Sequence, residues 1–379
     1  MTEIQLTHDS LRRYRHDHHR FYSLHARRCQ VTATTAARPA ADAFRIGMLF
    51  AIGSAFAFGM SGPLGKSLME AGWSPTAAVT ARLAGGAVAM AVFATIMKPG
   101  WIREAMQHWK TVVAYGMVPI AGAQLCYYNA VSHLSVGVAL LLEYTSPVLV
   151  VGWLWATTRR RPSNLTSAGV ALAVAGIMLV LGIFEGGGLS GAHVNPTGVA
   201  WGLAAAVCAA CYFMMSDEVS ADGDEGSLHS ITLAAAGLVV GAIAVALLGL
   251  SGAMPLTFTS NDTVVAGVTM SWVIPVVALA LIPTAIAYTL GIMGIARLRP
   301  RFASLVGLAE VMFAVLAAWA LLGEALTPTQ AFGAAVVLAG LVLARQGDRT
   351  ERVARHPGPT CRSILRRPSK QFVAANSDV

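Results

Sequence analysis

Two glutamates stand inside stretches that otherwise read as hydrocarbon. Glu143 lies in LLLEYTSPVLVVGWLW (140–155) and Glu310 in GLAEVMFAVLAAWALLG (307–323). A charge at a bilayer centre costs roughly 3 kcal/mol on insertion scales, and residues that carry one usually face a cavity and act on ions, protons or substrate. The other reading is a neutral glutamic acid hydrogen-bonded between helices. Arg82 falls in a further apolar stretch. It keeps its proton, so it needs an anionic partner or water. A substrate carboxylate and Glu143 are the candidates, against a structural ion pair. Lys66 sits near the end of an apolar stretch, where snorkelling accounts for it and substrate contact is the alternative. Tyr128 in CYYNA (126–130), Trp201, Tyr212 and Tyr288 place amphipathic aromatics in apolar surroundings. Helix packing is their common use and lining a polar cavity the other.

The elements that must hold these residues follow from composition. The 379 residues are 55% hydrophobic and only 12% charged, against roughly 25% charged in soluble domains. Such a chain cannot hide its apolar surface in water, so it reads as a polytopic membrane protein. Its 37 glycines fit, because small residues let membrane helices approach closely. The five cysteines form no disulfide framework. Cys208 and Cys211 make a CxxC inside an apolar helix with no second pair, so no metal site is expected.

A span needs about 20 mostly apolar residues. Ten stretches qualify: 46–68, 75–97, 111–131, 135–157, 165–184, 197–215, 229–250, 270–292, 301–322 and 327–345. Only helices satisfy their own backbone in lipid, and Pro63, Pro119, Pro147, Pro275 and Pro283 are expected to kink them. With both ends inside, all but two of the 27 lysines and arginines fall in inner segments. The exceptions, Lys66 and Arg82, lie within spans, and the five outer loops hold none. That bias predicts ten spans with cytoplasmic termini. The inner loop from Asp217 to Glu225 is acidic, which counts little in this rule.

The halves repeat. Glu143 aligns with Glu310 at an offset of 167, and just downstream AGVALAVAGIMLVLG (168–182) matches FGAAVVLAGLVLARQG (332–347) at an offset of 164, pairing Gly169 with Gly333 and Gly176 with Gly340; the three-residue difference fits a longer loop at TTRRRPSNLT. Five spans per copy is odd, so the second copy is inserted upside down, a transporter plan with its site near the midplane. At 1.5 Å per residue Glu143 lies roughly 12 Å from the outer face and Glu310 roughly 13 Å from the inner one. Arg82 is roughly 10 Å from the outer face.

At these residues the chain resembles the EamA-type drug/metabolite transporters, and within them the bacterial threonine/homoserine exporters. The resemblance covers about 45–345. It rests on SGPLGKSLMEAGWSPTAAVTARLAGG (61–86), LSVGVALLLEYTSPVLV (134–150), NPTGVAWGLAAAVCAACYFMMS (195–216), IARLRPRFASLVGLAE (295–310) and LLGEALTPTQAFGAAVVLAGLVL (321–343). It implies export of amino acids or similar metabolites by alternating access through an all-α fold of ten transmembrane helices in two inverted five-helix repeats. Members usually follow the second glutamate with proline, where this chain has Val311. The first repeat has Arg159–Arg161 and Pro162 in place of the Gly-Glu found at Gly323–Glu324.

The expected organisation is a basic tail over 1–45, a first repeat over 46–184, an outer linker at 185–196, a second repeat over 197–345 and a basic tail over 346–379. Both tails are expected to lack fixed structure in the cytoplasm, with the protein in the inner (plasma) membrane. The His-rich RRYRHDHHRFYSLHARR (12–28) is no signal peptide, since no separate apolar core precedes the first span. Met48 sits where the resemblance begins and is an alternative start. No cofactor and no nucleic-acid partner are expected. The expected partners are the lipid bilayer, a small-molecule substrate and protons as a candidate coupling ion. The other functions open to such a chain are drug export, a channel or a membrane-embedded enzyme. No filter-like loop, HExxH or nucleotide-binding motif stands in the sequence.

Overall fold

Side-chain caps set several helix starts. Ser74 accepts a hydrogen bond from Ala77 N and is followed by Pro75; Ser135 does the same for Val138 N and Ser163 for Thr166 N. The computed structural model describes residues 45–159, 161–182, 195–221, 228–295 and 300–355. The expected first tail up to 44, the end of the first repeat at 183–184, residues 185–194 of the 185–196 linker and the chain from 356 lie outside the described residues.

Eleven helices are present among the described residues. In chain order they are α1 Arg45–Glu70, α2 Pro75–Met97, α3 Trp101–Gln107, α4 over 109–131, α5 Val136–Thr158 and α6 Asn164–Val180. There follow α7 Pro196–Ala221, α8 Ser230–Leu250, α9 Val273–Gly294, α10 Pro300–Leu322 and α11 Pro328–Arg355. Each of the ten expected stretches contains a helix among its described residues; the eighth starts three residues later than expected, at Val273, because Met270 belongs to a strand. Five helices (α1, α2, α5, α8 and α9) are long and apolar enough to cross a membrane, and α6 and parts of α7, α10 and α11 form shorter apolar helices. The last helix runs ten residues into the expected tail. There Asp348 stands four residues before Arg352 and Glu351 four before Arg355, a spacing that favours helix.

Four of the five prolines stand at a local break or π segment; Pro275 lies in the first turn of α9, where its missing N–H leaves no ladder bond unmade, and it does not interrupt the helix. Pro119 and Pro283, 164 residues apart, lie inside π-helical segments at Gly116–Gly122 of α4 and Leu281–Ile286 of α9. A proline cannot donate to the helix ladder, and a π turn absorbs the missing bond. In α5 the first segment, Val136–Glu143, ends at Glu143, and a new one opens at Ser146–Pro147 after a break at Tyr144 and Thr145. Helix α1 breaks at Met60, three residues before Pro63.

Glycines decide how the helices cross. The most extensive pairing is α6 on α11. A Cβ on Gly176 would lie 2.7 Å from Val337 N and 2.9 Å from Gly333 O, and Gly169 meets Gly340 and Ala344 in the same way. The contact is reciprocal: glycines 164 residues apart exchange roles across it. Helices α2 and α8 pack together, and each also rests a glycine on a π segment. Gly86 lies against Thr284 of α9, and Gly241 lies 2.9 Å, from a built Cβ, to Ile120 of α4.

The sequence reading did not include α3 or the hairpin between α8 and α9. Strands Thr263–Val265 and Val268–Met270 pair antiparallel across Ala266 and Gly267, both at positive φ, the geometry a two-residue hairpin demands. The loop around them binds helix ends: Trp73 Nε1 donates to Thr259 O at 2.9 Å, and Ala266 N to Leu321 O at 2.7 Å. Helix α3 carries Glu104, whose carboxylate takes Lys98 Nζ at 2.5 Å, His229 N at 2.7 Å and Thr232 Oγ1 at 2.7 Å. It thus caps the start of α8. Burial alone pushes Glu104 up; the bonds from Lys98, Thr232 and His229 N, with the Lys98 charge, outweigh it and hold the group at about 2.

Candidate functional site

Arg82 is the largest fully buried side chain among the described residues, 2% exposed. Helix α2 places it one turn before Gly86, so it lies beside the π segment of α9. Its Nε donates to Thr284 Oγ1 at 3.2 Å, one terminal nitrogen to Ser61 Oγ at 2.6 Å and to Gln124 Oε1, and the other to Pro283 O at 3.1 Å. The carbonyl of Pro283 is available because the π turn displaces the ladder there. The guanidinium also stands 5.8 Å over the Tyr128 ring, whose hydroxyl donates to Ser61 O at 3.1 Å. Among the described residues no carboxylate lies within ion-pair distance of Arg82. Its positive charge is therefore solvated by neutral dipoles and left unneutralised by direct contact.

The glutamates lie close by. Glu143 is within electrostatic reach of Glu310, Arg82 and Cys208, and Arg82 also acts on Glu310. The two carboxylates have different surroundings. Glu310 accepts a hydrogen bond from Tyr144 at 2.8 Å. Glu143 is half-buried and has no hydrogen bond or ion pair among the described residues. The repeat explains the difference: Val311 stands after Glu310 where Tyr144 stands after Glu143, so the second copy has no hydroxyl to offer in return. Glu143 is also the last residue before the break in α5. A half-helix C-terminus carries partial negative charge, which adds to the carboxylate's attraction for a cation.

Tyrosines complete the cluster. Tyr288 is within electrostatic reach of Arg82, Tyr212, Glu310 and Glu143, and stacks edge-on with Phe58 at 5.1 Å. Tyr212 meets Tyr115 at 5.8 Å between ring centroids. Glu143, Glu310, Arg82, Tyr128, Tyr212 and Tyr288 thus come together. With both glutamates ionised, two carboxylates face one guanidinium, a surplus that suits an ammonium group or a proton.

Lys66 is not part of this group. It forms an ion pair with Glu324 and donates to Leu134 O at 3.1 Å, while Glu324 accepts Val136 N at 3.1 Å. The lysine therefore ties the end of α1 to the start of α5 and to the loop after α10. Sequence reasoning passed over Ser61, Gln124, Thr284 and Tyr144. Each is neutral, and their only signal was a polar atom inside an apolar run. Among the described residues no cluster of three metal-ligating side chains occurs.

The model of the EamA-like transporter family matches residues 45–182 and 196–346. The threonine/homoserine exporter RhtA of Escherichia coli is 30% identical over 281 residues, covering 73% of this chain and 83% of the relative. RhtA of Salmonella typhimurium is 28% identical over the same length. The uncharacterized inner membrane transporter YicL of Salmonella typhimurium is 22% identical over 310 residues, covering 79% of this chain and 95% of the relative. One solved crystal structure superimposes with a TM-score of 0.52 at 20% identity, over 82% of this chain and 99% of that one, a likeness of fold alone.

Proposed function

The chain belongs to the EamA-like transporter family, and from that premise we propose that it is a secondary exporter of small amino acids, threonine and homoserine foremost. The observation that carries the reading is the half-buried Glu143, without a hydrogen bond or ion pair among the described residues and within electrostatic reach of Glu310 and Arg82. An amino acid brings an ammonium and a carboxylate. Glu143, at a helix break with surplus negative charge around it, takes the ammonium. Arg82, bonded to Gln124 and lying over the Tyr128 ring, supplies the field for the carboxylate. The names of the RhtA relatives favour threonine and homoserine as substrates.

The transporter works by alternating access between two inverted five-helix repeats in the inner membrane, with ten spans and both termini cytoplasmic. Three features support this plan. The α6–α11 crossing is reciprocal between glycines 164 residues apart. Pro119 and Pro283 carry matching π segments at the same offset. Lysine and arginine are absent from the assigned outer loops. In this topology Lys66, Glu324 and the hairpin loop lie on the outer face, and their bonds close it. Glu143 or Glu310 carries the coupling proton.

The deciding experiment is uptake of a labelled amino-acid panel into inverted membrane vesicles containing the protein. Threonine and homoserine should accumulate under an imposed proton gradient. No accumulation of any amino acid, with the protein verified in the vesicles, would overturn the reading.

A further inference from the structure

We propose that Cys126 and Cys208 form a dithiol site that takes a trivalent arsenical as a bridge between α4 and α7. The two thiols come one from each segment that matches the family model, on helices that pack against each other, and they lie within electrostatic reach of one another. The backbone sets the contact. Cys208 Sγ lies 3.0 Å from where a Cβ on Gly122 would stand, and Cys126 is one helical turn further along the same face of α4. Because residue 122 is glycine, the sulfur can settle between the helices. Both cysteines are free and half-buried, so a small reagent has access to them. The CxxC spacing pairs Cys208 with Cys211; the fold pairs it with Cys126 instead.

Two sulfurs without a third ligand set the class of reagent. Soft thiolates select soft centres, and an aryl arsenic(III) brings its own carbon as the third substituent. In the reaction two As–S bonds form and the arsenic–oxygen bond of the oxide breaks. The oxygen leaves as water with both thiol protons, and no atom changes oxidation state. A bridge tolerates more variation in sulfur separation than a direct disulfide, whose geometry is narrow. Glu143 lies within electrostatic reach of both cysteines, so the bridge would tie α4 to α7 beside the proposed ammonium site.

The test uses the full chain with Cys29 and Cys361 replaced by serine, purified in detergent and treated with phenylarsine oxide. Intact mass should show one adduct that survives excess 2-mercaptoethanol and is removed by 2,3-dimercaptopropanol. Cys126→Ser and Cys208→Ser should each lose the monothiol-resistant adduct, and Cys211→Ser should keep it. A monodisperse size-exclusion peak establishes that each variant is folded, and Cys126→Ala repeats the test without a hydroxyl. A resistant adduct that persists without Cys126 or Cys208, or that is absent from the folded parent, would overturn the site. The readout is independent of what the protein transports.

Discussion

Glu143 and Glu310 are equivalent in the repeat but differ in surroundings. Glu310 is held by the Tyr144 hydroxyl, and Glu143 is left to bind something else. Glutamine at 310 still offers a carbonyl oxygen to Tyr144, whereas glutamine at 143 loses the only feature that attracts an ammonium. Glu143→Gln should therefore lower threonine uptake into inverted vesicles about tenfold, equivalent to about 1.4 kcal/mol. Glu310→Gln should cost less, with both variants inserted at parental levels. Retained threonine binding with lost pH dependence in Glu143→Gln would assign the proton, rather than the ammonium, to this residue. Unimpaired transport by that variant would reduce Glu143 to packing.

Helix crossings and caps carry their own consequences. Leucine at 176 would drive into the backbone of α11 at Val337 N and Gly333 O, and overpacking of a tight contact costs about 1–3 kcal/mol. Gly176→Leu should lower the thermal midpoint in detergent, while Gly152→Ala, with nothing within 4 Å of its Cβ, should leave it near the parent. Glu104 is a separate case, because it joins α3 to the start of α8 through charged bonds. Its folded pKa is about 2, against an ordinary 4.5. A depressed carboxylate gives stability that is fully present above the ordinary value and is lost as pH falls through the folded one. Glu104→Gln should therefore lower stability by about 1–3 kcal/mol at neutral pH. The gap should hold constant from pH 7 to 5 and narrow only below about 4.5. A gap that closes between pH 7 and 5 would show that another group sets it.

At the scale of the whole molecule, orientation in the membrane is a direct prediction of the basic residues. Single cysteines in an otherwise cysteine-free chain, Ser190→Cys in the expected outer linker and Gly358→Cys in the expected second tail, report it directly. An impermeant maleimide added to intact cells should label position 190 and leave 358 unlabelled until the membrane is opened. Labelling of 358 from outside would reverse the orientation derived from the basic residues. The same assignment places the Lys66–Glu324 ion pair and the hairpin loop on the outer face, so it also decides which side the bonded helix ends close.

The helices were legible in the sequence because lipid imposes one solution on an apolar run: 75–97 was read to the residue, and α5, α8 and α10 to within one. So was the repeat, since Gly169, Gly176, Gly333 and Gly340 keep their spacing. The two glutamates were legible because a carboxylate in hydrocarbon is costly enough to stand out. Short-range logic of this kind could not say what each charge touches. Arg82 had Glu143 as a candidate partner, yet it is solvated by Ser61, Gln124, Thr284 and Pro283 O, which lie 21 to 202 residues away along the chain. Lys66, explained as snorkelling, is paired with Glu324. Such pairings follow from the crossings that glycines permit and from the carbonyls that π turns release. Those are properties of two helices at once, and no single stretch of sequence contains them.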